Sequence, residues 1–417
     1  MMKLSETVAS IEQYVIDIRR DLHRHPEIGL QEVRTMNVVT EELSNMGIPY
    51  EIVPDGGIIG FIHGAQPGRT LILRADLDAL PMKESLFNLK QKKAITSTIP
   101  NAAHTCGHDA HTAMLLGAAK ILSSKREQIA GAIILAFEQG EEMGGGIKNL
   151  LNRLHQIGAD GIWGIHLKSD LQAGKISVDA GPRMAAASGF RVVLKGKAGH
   201  GSRPDLAVSP VDCFVDFYQA LRNMRHSRLS PFETITYSLG IVQAGSALNI
   251  IPDTLEFAGS FRYLNTEQGE QAIDVFKDLL THVSDMHSCT FEYKMEPVVS
   301  DLVVMNEATC AGIATAAIEQ TLGKEALATI PAWMASESFS FYLKYFPGVF
   351  AFLGVQNEEQ GMGAEHHNEH FDIDESALTV GVTSTVQYAL DFLDYKGTIT
   401  YTVAEKDVHE LLAQFGF

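Results

Sequence analysis

Apolar side chains recur at helical spacing along residues 5–24, at Val8, Ile11, Val15, Ile18 and Leu22, and Pro26 stops the run. A second helix is expected from Glu32 to Asn45 on Val33, Met36, Val39 and Leu43, ending at Gly47. The period then changes. Ile58–Ile62 and Thr70–Leu73 are short apolar runs separated by the turn signal Gln66-Pro67-Gly68, so both read as strands. Ala110–Leu122 reads as a strongly apolar helix, and Gly131–Phe137 and Gly161–Leu167 as buried strands. Residues 190–298 carry strand-like runs at Phe190–Leu194, Thr234–Val242, Thr254–Tyr263 and Thr290–Met295, with helices near Val208–Arg225 and Glu267–Val283. Alternation resumes with a helix at Glu307–Leu322, an apolar strand at Val349–Val355 and an amphipathic helix at Ala377–Leu393.

This order predicts an α/β domain over 1–185 plus 299–417, with helices packed on a central mixed, mostly parallel sheet. A smaller α+β domain at 186–298 interrupts it. The length of 417 residues is more than one ordinary core supports, which agrees with two domains.

Composition narrows the class. A hydrophobic content of 45% with 20% charged residues is that of a soluble globular protein. A net charge of −18 argues against nucleic acid or an anionic membrane as partner. The four cysteines, Cys106, Cys213, Cys289 and Cys310, form no paired framework, as expected of thiols in a reducing compartment. Residues Met1 to Val15 lack the apolar core of an export signal, and no run approaches 18 apolar residues, so a cytoplasmic location is expected.

Candidate chemistry concentrates at the ends of the expected strands. His104-Thr105-Cys106-Gly107-His108-Asp109-Ala110-His111 places three imidazoles, a thiol and a carboxylate within eight residues. Alternation brings Cys106 and His108 to one side of an extended segment, and thiolate with neutral imidazole suits Zn²⁺ and similar ions. A polar loop with satisfied histidines is the plain alternative. Asp76 and Asp78 end the strand after Thr70, where an unpaired charge is costly to desolvate and where open parallel sheets bind ligands. Glu141 and Glu142 follow the strand Gly131–Phe137 in a glycine-rich turn. Adjacent glutamates there point different ways, so one can ligate a metal while the other faces a water. His166 ends a third strand, and a second histidine cluster, Gly363 to Phe371, follows a fourth.

Together, Cys106 through Met114, Arg74 through Pro81 upstream and Glu141-Glu142 downstream resemble the dinuclear-metal amidohydrolases: bacterial N-acyl-amino-acid hydrolases, hippurate hydrolase and plant auxin-conjugate hydrolases. The likeness runs from Arg19-Arg20-Asp21-Leu22-His23 to the final helix. It implies an inserted lid domain that commonly dimerises, and two divalent ions per subunit, zinc or manganese, with cobalt or nickel also accepted. By position the implied ligands are Cys106, His108, Glu142, His166 and His367. His367 is preferred over His366 because the family's ligand lies four residues before the phenylalanine, here Phe371. The catalytic carboxylate falls on Glu141, with Asp78 counted among the catalytic residues. His200 in Gly199-His200-Gly201 resembles a histidine that polarises the substrate carbonyl in a neighbouring active site. Asn249 and Arg262 match the pair that holds the substrate's free carboxylate. The chain departs from the pattern at Glu369, usually proline, at Ser338, usually acidic, and at Gln139-Gly140, usually Pro-Ala.

The implied reaction is hydrolysis of the amide bond of an N-acyl amino acid or similar conjugate, a small-molecule substrate, with Glu141 as general base. A dipeptidase or carboxypeptidase shares the same chemistry. A cysteine hydrolase using Cys106 with His108 as base is the rival from another class, and a non-catalytic metal-binding protein a third. The paired glutamates argue against the third, because a closed structural site has no use for a spare base.

Overall fold

The computed structural model describes residues 4–299 and 302–413. The chain divides into two compact units. The first comprises Met1–Gly181, Met305–Pro331 and Ser338–Phe417, and the second Pro182–Val304 with Ala332–Glu337.

In the first unit the N-terminal periodic run forms two helices, α1 (Leu4–Ala9) and α2 (Glu12–Arg24), where one was expected. The Ser10 hydroxyl bonds back to the Thr7 carbonyl at the break, the competition with helical bonding that serine offers. α3 (Val33–Asn45) follows, then β1 (Tyr50–Val53), β2 (Gly57–His63) and β3 (Gln66–Asp76). Gln66-Pro67-Gly68 thus opens β3 instead of forming a free turn, and the register of β3 slips between Gln66 and Thr70 to accommodate it. α4 (His108–Ser124), β4 (Ala130–Glu138), α5 (Ile147–Ile157), β5 (Gly161–Gln172) and β6 (Ile176–Ser177) complete the N-terminal part.

The sheet has seven strands in the order β1-β2-β4-β3-β5, then Gly348–Gln356, then β6. It is mixed. The parallel pairs are the central ones, β4 with β3, β3 with β5, and β5 with Gly348–Gln356, whereas β1, β2 and β6 pair antiparallel at the margins. The four central strands therefore end at one edge, and they are near-continuously buried, as strands covered on both faces must be. α4 is buried on almost every side, from Ala110 to Leu122, and Leu378–Asp394 packs against it and the sheet.

The second unit has a four-stranded antiparallel sheet in the order Ile235–Ala244, Thr254–Tyr263, Ala186–Lys195, Thr290–Met295. Its helices, Pro210–Ser227 and Thr266–Met286, are capped by Ser209 and Asn265, whose side chains accept the Asp212 and Gln268 amides. Phe190, Phe217, Phe257, Phe261 and Phe276 fill the core between helices and sheet in tilted and edge-to-face pairs. Among the described residues, no helix is long and apolar enough to cross a membrane.

Candidate active site

The site stands where the central strands of the first unit end. β3 stops at Asp76, directly opposite Glu138 at the end of β4, and His166 on β5 faces Phe352 of its neighbour. Gly107 lets the chain turn into α4: its φ is +100°, and a Cβ there would meet Leu167 Cδ1 at 2.7 Å. That turn puts Cys106 just before the helix and His108 in its first position. Gly140 and Gly144, both left-handed, bracket the single turn Glu141–Met143.

Each imidazole is aimed by what holds its other nitrogen. His166 Nδ1 donates to the Leu167 carbonyl at 2.7 Å, which puts the acceptor lone pair on Nε2, 3.5 Å from Cys106 Sγ. His108 Nδ1 lies 3.1 Å from Asp78 Oδ1, and its buried Nε2 has no hydrogen-bond partner among the described residues. His367 Nε2 is 3.0 Å from Glu142 Oε1, and His367 takes a φ of +60°, uncommon outside glycine, while its amide donates to the Thr105 carbonyl. His366, in contrast, uses Nε2 to accept the Ser169 amide at 3.3 Å, so its ring ties this loop to β5. His111 is also committed: Nε2 accepts the Leu167 amide and Nδ1 donates to Asp76 Oδ1 at 2.6 Å.

Three sets of ligand atoms that lie within 4.8 Å of one another draw only on residues singled out by the sequence. They are Cys106 with His108 and His166; Cys106 with Glu142 and His367; and His108 with Glu141 and Glu142. A fourth, Asp76 with His108 and His111, uses the committed His111. The electrostatics favour a cation here. Burial works against the charged form of His108, yet Asp76, Cys106 and the bond to Asp78 outweigh it and hold its pKa well above the usual range. Burial pushes the Cys106 thiol well up, so the unliganded site keeps its proton. An orphaned imidazole nitrogen, a thiol, an imidazole poised by a carbonyl and a half-buried carboxylate form a donor set that fits a divalent transition ion.

Asp78 accepts the Glu142 amide on its second oxygen at 3.1 Å. Glu141, beside it, accepts the Ser338 amide on Oε1 at 3.0 Å. His104 is buried, neither ring nitrogen has a hydrogen-bond partner among the described residues, and burial lowers its pKa to about 4. It belongs to none of the ligand sets.

His200, Asn249 and Arg262 lie in the second unit. His200 pairs with Ile250 in a two-residue ladder, and the Gly201 amide bonds the Asn249 carbonyl, so the first two sit together. His200 is exposed. Its Nδ1 accepts the Ser202 amide at 3.2 Å, which places the proton on Nε2. Arg262, on Thr254–Tyr263, donates to Ser336 Oγ at 3.0 Å, and burial lowers its pKa, with no acidic group among the described residues opposing the shift. A surface salt bridge therefore does not explain it.

The model of peptidase family M20/M25/M40 matches residues 72–391. The chain belongs to this family. Thermostable carboxypeptidase 1 of Saccharolobus solfataricus is 32% identical over 395 residues, covering 94% of this chain and 98% of the relative. N-acetylcysteine deacetylase of Bacillus subtilis is 31% identical over 384 residues, covering 91% and 97%. A crystal structure of a Bacillus subtilis dinuclear metal-binding peptidase of the M20 family superposes with a TM-score of 0.79 at 29% identity, covering 93% of this chain and 99% of that one. This M20 chain is a metal-dependent hydrolase of amide bonds, and the resemblance drawn from its motifs holds.

Several contacts that shape the site carried no sequence signal of their own. Ser338 lies nearly two hundred positions from the glutamate it bonds. The His111–Asp76 and His111–Leu167 anchors are set by the approach of α4 to β3 and β5, which spacing alone does not encode.

Proposed function

We propose that this M20 hydrolase cleaves the amide bond of N-acyl-L-amino acids or similar amino-acid conjugates, with Glu141 as general base. The observation that carries the reading is that two adjacent glutamates are held by different partners. Glu142 turns toward Cys106 and His367, while Glu141 is held by the Ser338 amide. Cys106, His108, Glu142, His166 and His367 would hold two divalent ions, zinc or manganese, with cobalt or nickel as substitutes. Bound there, such ions supply Lewis acidity toward the carbonyl oxygen and lower the pKa of water.

The chain's own residues do the rest. Asp78 orients His108 and the Glu142 turn. Glu141 takes the proton of the attacking water and returns it to the departing nitrogen. His200, with its proton on Nε2, donates to the oxyanion of a neighbouring subunit's substrate, and Asn249 and Arg262 bind the free carboxylate. This assigns residues 186–298 as a lid and dimerisation domain and makes the protein a homodimer. Four free cysteines support a cytoplasmic location.

Dipeptide or carboxypeptidase activity is the second reading, favoured by the carboxypeptidase relative. A Cys106 nucleophile is disfavoured, because a buried thiol with a raised pKa is a poor thiolate source. The deciding experiment is a hydrolysis panel on metal-reconstituted enzyme, with acetyl-, benzoyl- and long-chain acyl-amino acids beside dipeptides. Preference for the acyl-amino acids supports the proposal, and exclusive dipeptide cleavage replaces it with the second reading.

A further inference from the structure

The buried side of Glu141 contains a polar cluster that the reaction above does not use. Arg74, near the end of β3, donates from Nε to Glu138 Oε2 at 2.8 Å, from Nη1 to Asp76 Oδ2 at 2.7 Å and from Nη2 to Ser338 Oγ at 2.9 Å. The Ser338 hydroxyl donates in turn to Glu138 Oε1 at 3.1 Å, and Tyr342 donates its phenolic proton to Glu138 Oε2. All of these groups are buried.

We propose that Ser338 is a positioning residue for Glu141, and that its hydroxyl, locked between Arg74 and Glu138, fixes the backbone amide that aims the Glu141 carboxylate. This rests on the reading of Glu141 as the base. The serine hydroxyl both donates and accepts, and here both functions are used, which leaves its rotamer no freedom. Its amide then points at Glu141 Oε1 from a place fixed against the sheet edge. The base is thereby tied to β3 and β4, the strands that also carry Asp76 and lead to Asp78. Base and ligand turn share one frame.

The same geometry makes Glu138 and residue 338 an exclusive pair. An ionised carboxylate at 338 can accept from Arg74 but cannot donate to Glu138, and two carboxylates at that distance repel. The cluster therefore accommodates one carboxylate across these two positions. Here β4 supplies it, which accounts for a neutral residue at 338, where the family resemblance leads one to expect an acid.

Four variants of the metal-reconstituted enzyme test this: Ser338→Ala, Ser338→Thr, Ser338→Asp and the double variant Ser338→Asp with Glu138→Gln. The alanine variant is expected to lose about tenfold or more in kcat, with KM within about twofold and bound metal unchanged, as for a misaimed base. Threonine, which keeps the hydroxyl, should recover kcat to within about threefold of the native enzyme. Aspartate alone should lower both kcat and thermal midpoint, and adding Glu138→Gln should raise both again.

Native kcat in Ser338→Ala overturns the proposal, as does an equal loss of kcat and bound metal in the alanine and threonine variants. If Ser338→Ala does not fold, the two aspartate variants decide, and identical kcat and midpoint in that pair overturn it. Glu141→Gln, run in parallel, separates the two failures: its full activity would remove the base assignment itself, whereas an inactive Glu141→Gln beside a native Ser338→Ala removes only the positioning role.

Discussion

His108 and Asp78 form a buried pair, Nδ1 to Oδ1 at 3.1 Å, and the second oxygen of the same carboxylate accepts the amide of Glu142. One side chain thus aims two of the proposed ligands. Asp78→Ala should weaken metal binding by about 10- to 100-fold, the usual cost of removing a group that orients a ligating histidine. Metal titration monitored by calorimetry checks this, and activity should return at high metal concentration.

Glu141 accepts the Ser338 amide on Oε1. Glu141→Gln keeps shape and removes basicity, so kcat should fall by about 10²- to 10⁴-fold while bound metal stays at the native level. Steady-state kinetics beside elemental analysis of the same sample give both numbers.

Two of the three residues proposed to contact substrate from the second unit should separate kinetically. His200→Ala removes an oxyanion donor, and a loss of about 10²- to 10³-fold in kcat with little change in KM is expected. Arg262→Ala removes a guanidinium that no carboxylate among the described residues neutralises, and should instead raise KM by about tenfold or more. Reversal of this pattern would exchange or remove the assignments.

A second buried network stands behind α4. His23 lies between Asp109 at 2.8 Å and Glu84 at 3.0 Å, Lys93 bonds Glu84 at 2.9 Å, and Arg19 pairs with Asp109 at 2.9 Å. Burial pushes the Glu84 pKa up, but the bonds and charges of His23 and Lys93 outweigh it and bring it down from 4.5 to about 2. A carboxylate depressed in the folded state stabilises above its unfolded pKa, and that contribution fades as pH falls from about 4.5 toward 2. It amounts to about 3 kcal/mol at neutral pH. Glu84→Gln should therefore lower the thermal midpoint at pH 7 by several degrees, and the difference from the native protein should shrink steadily below pH 4.5.

The sequence made the frame legible where burial imposes a strong pattern. Residues 130–137, 161–165 and 348–355 are continuous apolar runs because both faces are covered, and the chain just beyond them carries Glu141, His166 and the His367 loop. Tyr50–Val53 left no such mark, since as an edge strand it exposes most of its side chains. The ligand candidates were visible as donors clustered at strand ends, but what aims them was not. The carbonyl of Leu167, the amide of Leu167 on His111 and the amide of Ser338 are backbone groups, and any residue type but proline could supply them. The choice between His366 and His367 came from family spacing. In the structure, the Ser169 amide occupies the Nε2 atom of the first, and the second reaches Glu142.

The shared cation pair is tested most directly by stripping the protein with a chelator, restoring Mn²⁺ or Zn²⁺, and measuring bound metal and N-acyl-amino-acid hydrolysis together in the native, Cys106→Ala and His367→Ala proteins. Two equivalents per chain and recovery of turnover are expected for the native protein, with at least one equivalent and most of the activity lost in each variant. Native-rate hydrolysis by the stripped protein, or full metal content in both variants, would contradict it.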